Sequence, residues 1–275
     1  MKINCSGKLI DLREPKIMGI LNMTFDSFFE GSRLNNVDEA LKKAELLLIQ
    51  GADFLDLGGM STRLGSSEIS LDEELKRVVP TVEAIMKEFP EAIISVDTYR
   101  SKVAKHSVEA GASIINDISA GVLDEKMFET VAELNVPYIL MHMQGSPKNM
   151  QQNPHYEDVV LEVNEFLSEK IQALKSLGVN DIILDPGFGV GFGKSLQHNY
   201  ELMDKMDLIG FGEYPILVGI SRKSMITQLL NISAKEALNG TSVLNLISLQ
   251  KGANILRVHD VKEAKEVVQI WEQFQ

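Results

Sequence analysis

Side chains that can bind a ligand or move a proton recur directly after short apolar runs of this sequence. They are mostly carboxylates and amides in the first two thirds of the chain and basic groups near its end. The set comprises Asn22, Asp56, Asp97, Asn116, Asp117, His142, Asp185, Lys223, Arg257 and His259. The acidic and amide groups suit a neutral heterocycle that presents N–H donors. Any one of these residues taken alone is better explained as a helix cap or a turn, but the whole set is not.

The basic groups cluster in two motifs, SRKS at 221–224 and RVHD at 257–260. Arg222, Lys223, Arg257 and His259 together suit an anion such as phosphate, and backbone N–H groups at a helix starting near Ser224 would add to the attraction. Arg222 and Lys223 could instead be a solvated surface pair. Their place directly after the apolar run ILVGIS favours the site.

A glycine-rich loop follows the run that ends at Asp185. Residues 181–195 read DIILDPGFGVGFGKS, with glycine at four alternate positions. The phosphate-loop pattern G-x-x-x-x-G-K-[ST] fails because Phe188 replaces its first glycine, and the dinucleotide pattern G-x-G-x-x-G fails at Phe192. Two near misses are weak evidence for a nucleotide site, so the role of the loop must come from its surroundings.

Composition excludes several classes of protein. Lys and Arg number 27 against 39 Asp and Glu, so the formal net charge is −12, the wrong sign for a chain that coats nucleic acid or an anionic membrane. Cys5 is the one cysteine, which excludes an intrachain disulfide and a multi-cysteine metal site. There is no signal-peptide pattern and no run of ~18 apolar residues. We therefore expect a cytoplasmic protein.

The elements that position these residues are read from the apolar runs. Eight continuous runs without alternation are typical of parallel strands buried on both faces, and helical periodicity fills the segments between them. The predicted strand ends are Asn22, Asp56, Asp97, Asn116, His142, Asp185, Ile220 and Arg257. Periodicity alone cannot separate a barrel from a doubly wound open sheet, but eight strand-helix units favour a (β/α)₈ barrel. We expect one domain over 1–275, preceded by a small hairpin that turns at Ser6-Gly7 and covers the bottom of the barrel.

In such a barrel the active site lies at the carboxyl ends of the strands, where the polar residues above are found. Several blocks there match one family: MGILNMTFDSF, DLGGMSTRLG, SVDTYR, INDISAG, MHMQGSP, ILDPGFG followed by GK, HNY, GISRKS and RVHDV. The chain resembles the dihydropteroate synthases of folate biosynthesis over essentially its whole length. The resemblance implies a (β/α)₈ barrel, a transferase activity, small-molecule substrates, a Mg²⁺ ion and a homodimer.

The resemblance also implies roles for particular residues. The pterin ring would be bound by Asp97, Asn116, Asp185, Lys223, Met141 and Gly219. The pyrophosphate would be bound by Asn22, Arg63, Arg257 and His259, with Mg²⁺ on Asn22; these four and Lys223 form the implied catalytic set. The p-aminobenzoate pocket would be formed by Thr62, Arg63, Leu64, Phe28, Phe188, Phe192 and Ser224. On this interpretation the glycines of 187–193 let the backbone approach the ligand.

The sequence departs from the family pattern in the loops around the p-aminobenzoate pocket. Phe25 and Leu64 replace prolines, Met60 replaces a glutamate, and Val190-Gly191 are two extra residues. These changes are reminiscent of sulfonamide-insensitive forms. A methyltetrahydrofolate-type methyl-transfer barrel and a non-catalytic pterin-binding subunit are the alternatives, and a phosphate-loop nucleotidase is a distant one.

Overall fold

The computed structural model describes residues 1–23, 32–59, 69–145 and 154–275. Eight parallel strands form one sheet. The first of these strands in the sequence lies next to the last one. Their bounds are β3 Lys16–Asn22, β4 Phe54–Gly58, β5 Ile94–Asp97, β6 Ile114–Asp117, β7 Tyr138–Met141, β8 Ile182–Asp185, β9 Leu217–Val218 and β10 Ile255–Val258. A parallel bridge between Leu184 and Ile216 joins β8 to β9 and closes the ring. The (β/α)₈ barrel is therefore confirmed over the open sheet.

Helices surround the barrel in the described part of the chain. They are α1 Ser32–Ile49, α2 Leu71–Glu88, α3 Ser101–Glu109, α4 Met127–Leu134, α5 Val159–Ser176, α6 Leu196–Asp204, α7 Ser224–Leu230, α8 Leu238–Gln250 and α9 Val261–Glu272. Side-chain caps fix three of the starts, because Ser70 accepts an N–H at the start of α2, Asp158 accepts two at the start of α5 and Ser195 accepts one at the start of α6. None of the described helices is long and apolar enough to cross a membrane.

The hairpin predicted at the N-terminus is present. Strands β1 Lys2–Cys5 and β2 Lys8–Asp11 pair antiparallel through a two-residue turn in which Ser6 and Gly7 both have positive φ, 51° and 89°. Ile3 and Cys5 pack with Met18 and other side chains of the barrel base. Burial, with a further contribution from Asp181, raises the pKa of the Cys5 thiol to about 12, so the thiol is unreactive.

Alternation along the strands decides which side chains enter the barrel. The apolar layer at its base includes Phe54, Ile114, Ile183 and Ile255. Side chains two positions further along a strand point to the same face. The next layer therefore contains Asp56, Asn116, Asp185 and Arg257, and the same reasoning places Met141 and Gly219 there. A polar layer consequently lies directly on the apolar one, towards the carboxyl ends of the strands.

Candidate active site

An arginine and two carboxylates form the centre of the polar layer. Arg257 donates from Nε to Asp56 Oδ2 at 2.6 Å and from Nη2 to Asp97 Oδ2 at 2.8 Å. Asn116 completes the group by donating from Nδ2 to Asp56 Oδ2 at 3.2 Å. Burial raises the pKa of Asp97. Burial also acts to lower the pKa of Arg257, but the carboxylates of Asp56 and Asp97 hold it above its usual value. Two of the predicted pterin residues, Asp97 and Asn116, thus meet through Asp56 and Arg257.

Asp185 lies on the same face at the end of β8 and is 5% exposed. Its Oδ1 accepts the Gly187 N–H at 2.7 Å, and within the described residues its Oδ2 has no hydrogen bond. Burial raises the pKa of this carboxyl, while Lys223, the Gly187 N–H, Arg257 and Lys194 act to lower it. The carboxylate therefore keeps an acceptor for a ligand in a basic environment.

Lys223 approaches this carboxylate from the start of α7. Its Nζ donates to the Phe188 carbonyl at 2.7 Å and lies 4.6 Å from the centre of the Phe192 ring. Burial lowers the pKa of Lys223 to about 8, against the opposing effect of Asp185. A Cβ added to Gly219 would lie 3.7 Å from this Nζ and 3.9 Å from Arg257. Gly219 therefore lies beside both basic groups, at ordinary van der Waals distance.

The basic motif at the end of the chain continues towards the mouth of the barrel. His259 follows β10, and its Nδ1 lies 3.0 Å from the Ser221 Oγ, which also accepts the His259 N–H at 3.2 Å. Asn22 ends β3 with an exposed side chain on the inward-facing row of that strand. Ser224 is the first residue of α7, as predicted. Because β10 and β3 are neighbours, His259 after β10 and Asn22 at the end of β3 lie at adjacent strand ends.

The glycine loop is shaped by contacts within the protein. Gly187 has φ +70°, and a Cβ there would lie 1.9 Å from the His142 carbonyl oxygen. Gly193 has φ +73°, and a Cβ there would lie 2.7 Å from the Gln144 Cβ. The expectation that these glycines admit the backbone to a ligand is therefore corrected: at these two positions they admit it to the segment that follows β7.

The two phenylalanines of this loop have different environments. Phe188 is 0% exposed and packs in the apolar layer between barrel and helices, so its side chain does not wall a pocket as the resemblance implied. Val190–Phe192 form a single 3₁₀ turn, which contains Val190-Gly191, the pair that the resemblance marks as extra. The turn leaves Phe192 half-buried against Met141 and beneath the Lys223 ammonium. Phe192 is thus the loop's phenylalanine beside the polar layer.

Two of the predicted strand-end residues, Asp117 and His142, and Arg222 of the SRKS motif are held by contacts within the protein. Asp117 is bound by the Tyr138 hydroxyl at 2.7 Å and by the Ser119 N–H at 2.7 Å, on the outward face of β6. His142 packs edge-on against Phe166 of α5. Arg222 is held by Asp260, with its Nε 2.7 Å from Oδ2 and its Nη2 2.9 Å from Oδ1. The prediction of a ligand-binding role is wrong for these three, because their hydrogen bonds and packing are structural.

Sequence reasoning placed Asp56 among the strand-end residues without a role of its own, and it assigned no role to Lys194 and Asn199. Lys194 is fully buried between His142 Nδ1, at 2.9 Å, and the Gly187 carbonyl, at 3.0 Å. Asn199 Oδ1 accepts the Gly189 N–H at 2.6 Å. The blocks GK and HNY contain Lys194 and Asn199, so a signal was present, but nothing in the spacing indicates that both fasten the glycine loop.

Several predictions lie outside the described residues, namely those for Phe25, Phe28, Met60, Thr62, Arg63 and Leu64. In the part of the chain that the structure does describe, no three His, Cys, Asp or Glu side chains are arranged to hold a metal ion.

A family profile described as pterin binding enzyme matches residues 18–259, which include the whole polar layer. The chain belongs to the pterin binding enzyme family. Within this family it is 46% identical to the dihydropteroate synthase of Escherichia coli strain K12 over 99% of this chain and 96% of that protein.

Solved structures of the family agree over the full length of the chain. The Yersinia pestis dihydropteroate synthase, in complex with a sulfonamide drug, has a TM-score of 0.92 and 44% identity over 100% of this chain and 99% of that one. The Xanthomonas albilineans dihydropteroate synthase with 4-aminobenzoic acid has a TM-score of 0.90 and 37% identity, covering 100% and 98%. This pterin binding enzyme is therefore similar to dihydropteroate synthases in both sequence and fold.

Proposed function

We propose that this chain joins p-aminobenzoate to 6-hydroxymethyl-7,8-dihydropterin pyrophosphate, forming 7,8-dihydropteroate and releasing pyrophosphate. The observation that carries the proposal is the buried Asp185 carboxylate, which has an acceptor oxygen to spare beside Lys223. A pterin presents adjacent ring N–H and exocyclic NH₂ donors, which a carboxylate accepts together. The dihydropteroate synthases to which the chain is similar have this substrate chemistry.

The residues divide between the two substrates. We assign the pterin ring to Asp97, Asn116 and Asp185, with Lys223 donating to the acceptors of the ring and with Met141 and Gly219 lining it. Phe192 and Ser224 border the p-aminobenzoate side, because the Lys223 ammonium lies over the Phe192 ring and Ser224 follows Lys223 in the chain. Thr62, Arg63, Leu64 and Phe28 are assigned to the same pocket on the resemblance alone.

The reaction is a substitution at the exocyclic methylene carbon of the pterin. The C–O bond to pyrophosphate breaks, and the aromatic amine forms the new C–N bond and loses a proton. An arylamine is a weak nucleophile, so departure of the leaving group is the step that needs assistance. His259, Arg257 and Arg63 would stabilise the charge that develops on pyrophosphate, and no covalent bond to the protein is required.

A Mg²⁺ ion fits this site with one oxygen ligand from the protein. The carboxylates at the centre, Asp56 and Asp97, are engaged by Arg257, whereas the exposed Asn22 amide at the end of β3 can offer a neutral oxygen. One protein oxygen suits an ion that keeps several waters and binds phosphate oxygens. When bound, Mg²⁺ would neutralise charge on the leaving pyrophosphate. Chelation should therefore slow turnover, and added Mg²⁺ should restore it.

Four further properties belong to the proposal. We infer one folding unit over 1–275, supported by the packing of the hairpin into the barrel base. We infer a homodimer, supported by the exposed apolar side chains of Leu229 and Leu230 on α7 and of Val243 on α8. We also infer a cytoplasmic location and reduced sensitivity to sulfonamides, the latter from the altered loops. Light scattering at several protein concentrations tests the dimer.

Release of pyrophosphate, measured with and without p-aminobenzoate, tests the function. We expect turnover that requires both substrates, with 7,8-dihydropteroate as the product. Tight pterin binding without pyrophosphate release would instead indicate a non-catalytic pterin-binding subunit. Methyl transfer from a methylated pterin in place of condensation would indicate the methyl-transfer alternative.

A further inference from the structure

Lys194 carries a buried amine that the proposed reaction does not use. The side chain is 0% exposed, and within the described residues no carboxylate lies within ion-pairing distance of its ammonium group. Instead, Nζ lies between two neutral partners, the Nδ1 of His142 at 2.9 Å and the Gly187 carbonyl at 3.0 Å. Burying an unpaired amine is costly, so its retention at this position calls for a function.

The Gly187 peptide connects Lys194 to the pterin site. Its carbonyl accepts from Lys194, and its N–H donates to Asp185 Oδ1 at 2.7 Å. Gly187 has φ +70°, and a Cβ would lie 1.9 Å from the His142 oxygen, so only glycine fits here. The Gly187 residue is therefore held from one side by Lys194 while it orients a carboxylate on the other.

The remainder of the loop is fastened in the same manner, from behind the site. The Asn199 side chain accepts the Gly189 N–H at 2.6 Å and donates to the Ser195 carbonyl at 2.7 Å. The Tyr156 hydroxyl donates to the Gly193 carbonyl at 2.9 Å. Between these points, the Phe188 carbonyl accepts from Lys223 at 2.7 Å. The loop thus holds both Asp185 and Lys223, which approach from different strands.

We propose that Lys194 is a positioning residue for the pterin ring, acting through the Gly187 peptide to set the orientation of the Asp185 carboxylate. His142 contributes as the acceptor that holds the Lys194 amine in place. Lys194 also lies among the basic groups that favour the ionised form of Asp185. The inference rests on the proposed function, because it takes Asp185 as the carboxylate that binds the pterin.

The test compares Lys194→Met with Lys205→Met. Methionine fills the space without a charge or a donor, and Lys205 is a control at the end of α6 that pairs with Glu201. Calorimetry with 6-hydroxymethylpterin should show at least a tenfold loss of affinity for Lys194→Met and less than a twofold change for the control. In steady state, the KM for the pterin substrate should rise by a similar factor, while the KM for p-aminobenzoate changes less than twofold.

A second pair of variants separates positioning from general stability. His142→Asn keeps an acceptor oxygen near the position of Nδ1, whereas His142→Leu does not. We expect His142→Asn to retain pterin affinity within about threefold. His142→Leu should lose pterin affinity by nearly the same factor as Lys194→Met. If Lys194→Met does not fold, the two His142 variants test the proposal in its place. Equal pterin affinities of His142→Asn and His142→Leu would overturn it.

The possible failures are distinguishable. A wild-type protein that binds the pterin, together with a folded Lys194→Met variant that binds it within twofold, refutes the positioning role alone. A wild-type protein that binds no pterin refutes the proposed function, and the positioning role falls with it. Loss of affinity for both substrates in equal measure would show that Lys194 only maintains the fold.

Discussion

Arg257 and Asp97 join two sides of the polar layer, with Nη2 of the arginine 2.8 Å from Oδ2 of the carboxylate. The same guanidinium binds Asp56 at 2.6 Å, so one side chain compensates two buried carboxylates. A role in anion binding alone would let Arg257→Ala bind free pterin almost normally. The pairing with Asp97, itself assigned to the pterin, changes that expectation.

We therefore predict that Arg257→Ala lowers the free energy of unfolding by about 3–5 kcal/mol, because it leaves buried carboxylates without a partner. Pterin affinity should fall as well, and the pyrophosphate ester should lose more affinity than free pterin. Urea denaturation and calorimetry measure the two effects, with Arg257→Lys as the variant that keeps the charge. Equal losses for both ligands would place Arg257 away from the pyrophosphate.

Asp185→Asn should abolish measurable pterin binding. The amide offers one acceptor where the carboxylate offers two, and its NH₂ would meet a donor of the ligand. An unsatisfied buried donor costs about 1–3 kcal/mol, and a charge-assisted hydrogen bond is lost in addition. Asp207→Asn, at an exposed position of the 3₁₀ segment Met206–Gly212, is the matched control. Undiminished affinity in Asp185→Asn would exclude Asp185 as the pterin carboxylate.

Comparing Gly187→Ala with Gly178→Ala separates the effect of a steric clash with a neighbouring segment from the effect of backbone strain. Both glycines have positive φ, +70° and +88°, but an added Cβ meets the His142 carbonyl only at Gly187 and nothing within 4 Å at Gly178. We expect about 1–2 kcal/mol of destabilisation at Gly178 from the left-handed backbone alone. At Gly187 the loop must move, so pterin binding should be lost too. Similar effects of the two variants on binding would contradict the tight packing of the loop.

The pH dependence of stability should reveal the buried amine of Lys194. Burial lowers its pKa from the usual 10.5 to about 7, so between these values the unfolded chain binds a proton that the folded one does not. The contribution of this group to stability is therefore present above pH 10.5 and is lost as the pH falls towards 7. Relative to that of Lys194→Met, the free energy of unfolding of the wild type should rise by up to about 1.4 kcal/mol per pH unit between pH 7 and 9.

Urea denaturation of both proteins at pH 7, 8 and 9 checks this. The ionisable groups that face Lys194 are His142 after β7, Asp185 at the end of β8 and Lys223 before α7. All three remain in Lys194→Met, so the difference between the two proteins isolates the amine and its coupling to them. Curves that run parallel from pH 7 to 9 would show that the amine is not perturbed.

Sulfonamides should bind poorly although p-aminobenzoate is a substrate. The group that sulfonamides carry beyond the aminobenzoate ring projects towards the loop mouth, where a displaced side chain can exclude it. The turn Val190–Phe192 contains the two residues that the resemblance marks as extra, and Phe192 lies beside Lys223. A hundredfold preference for p-aminobenzoate over a sulfonamide requires a difference in binding free energy of only about 2.8 kcal/mol.

Deleting Val190-Gly191 together with Leu64→Pro should raise sulfonamide affinity and leave pterin binding intact. Inhibition and calorimetry measure the two properties on the same protein. Wild-type inhibition as strong as that of ordinary family members would leave the loop changes without this explanation.

The sequence by itself determined the barrel and the family. Eight apolar runs followed by polar residues are a local property, and each strand ends within two residues of its predicted end. The motif blocks also placed Asp97, Asn116, Asp185, Lys223 and Arg257 at one end of the barrel. Short-range periodicity carries this information because strands buried on both faces are apolar along most of their length, and the active site of this fold lies at their carboxyl ends.

Only the tertiary structure decided which polar residues enter the barrel and with what they pair. In a run that is apolar on both faces, sequence cannot tell Asn116 from Asp117 or Met141 from His142, whereas barrel closure fixes one as inward and the next as outward. The partners of Arg257 are 201 and 160 residues away along the chain, beyond any local pattern. The burial of Lys194 and Phe188 likewise follows from the way the glycine loop folds back on the segment after β7, which depends on contacts between strands and helices that no spacing encodes.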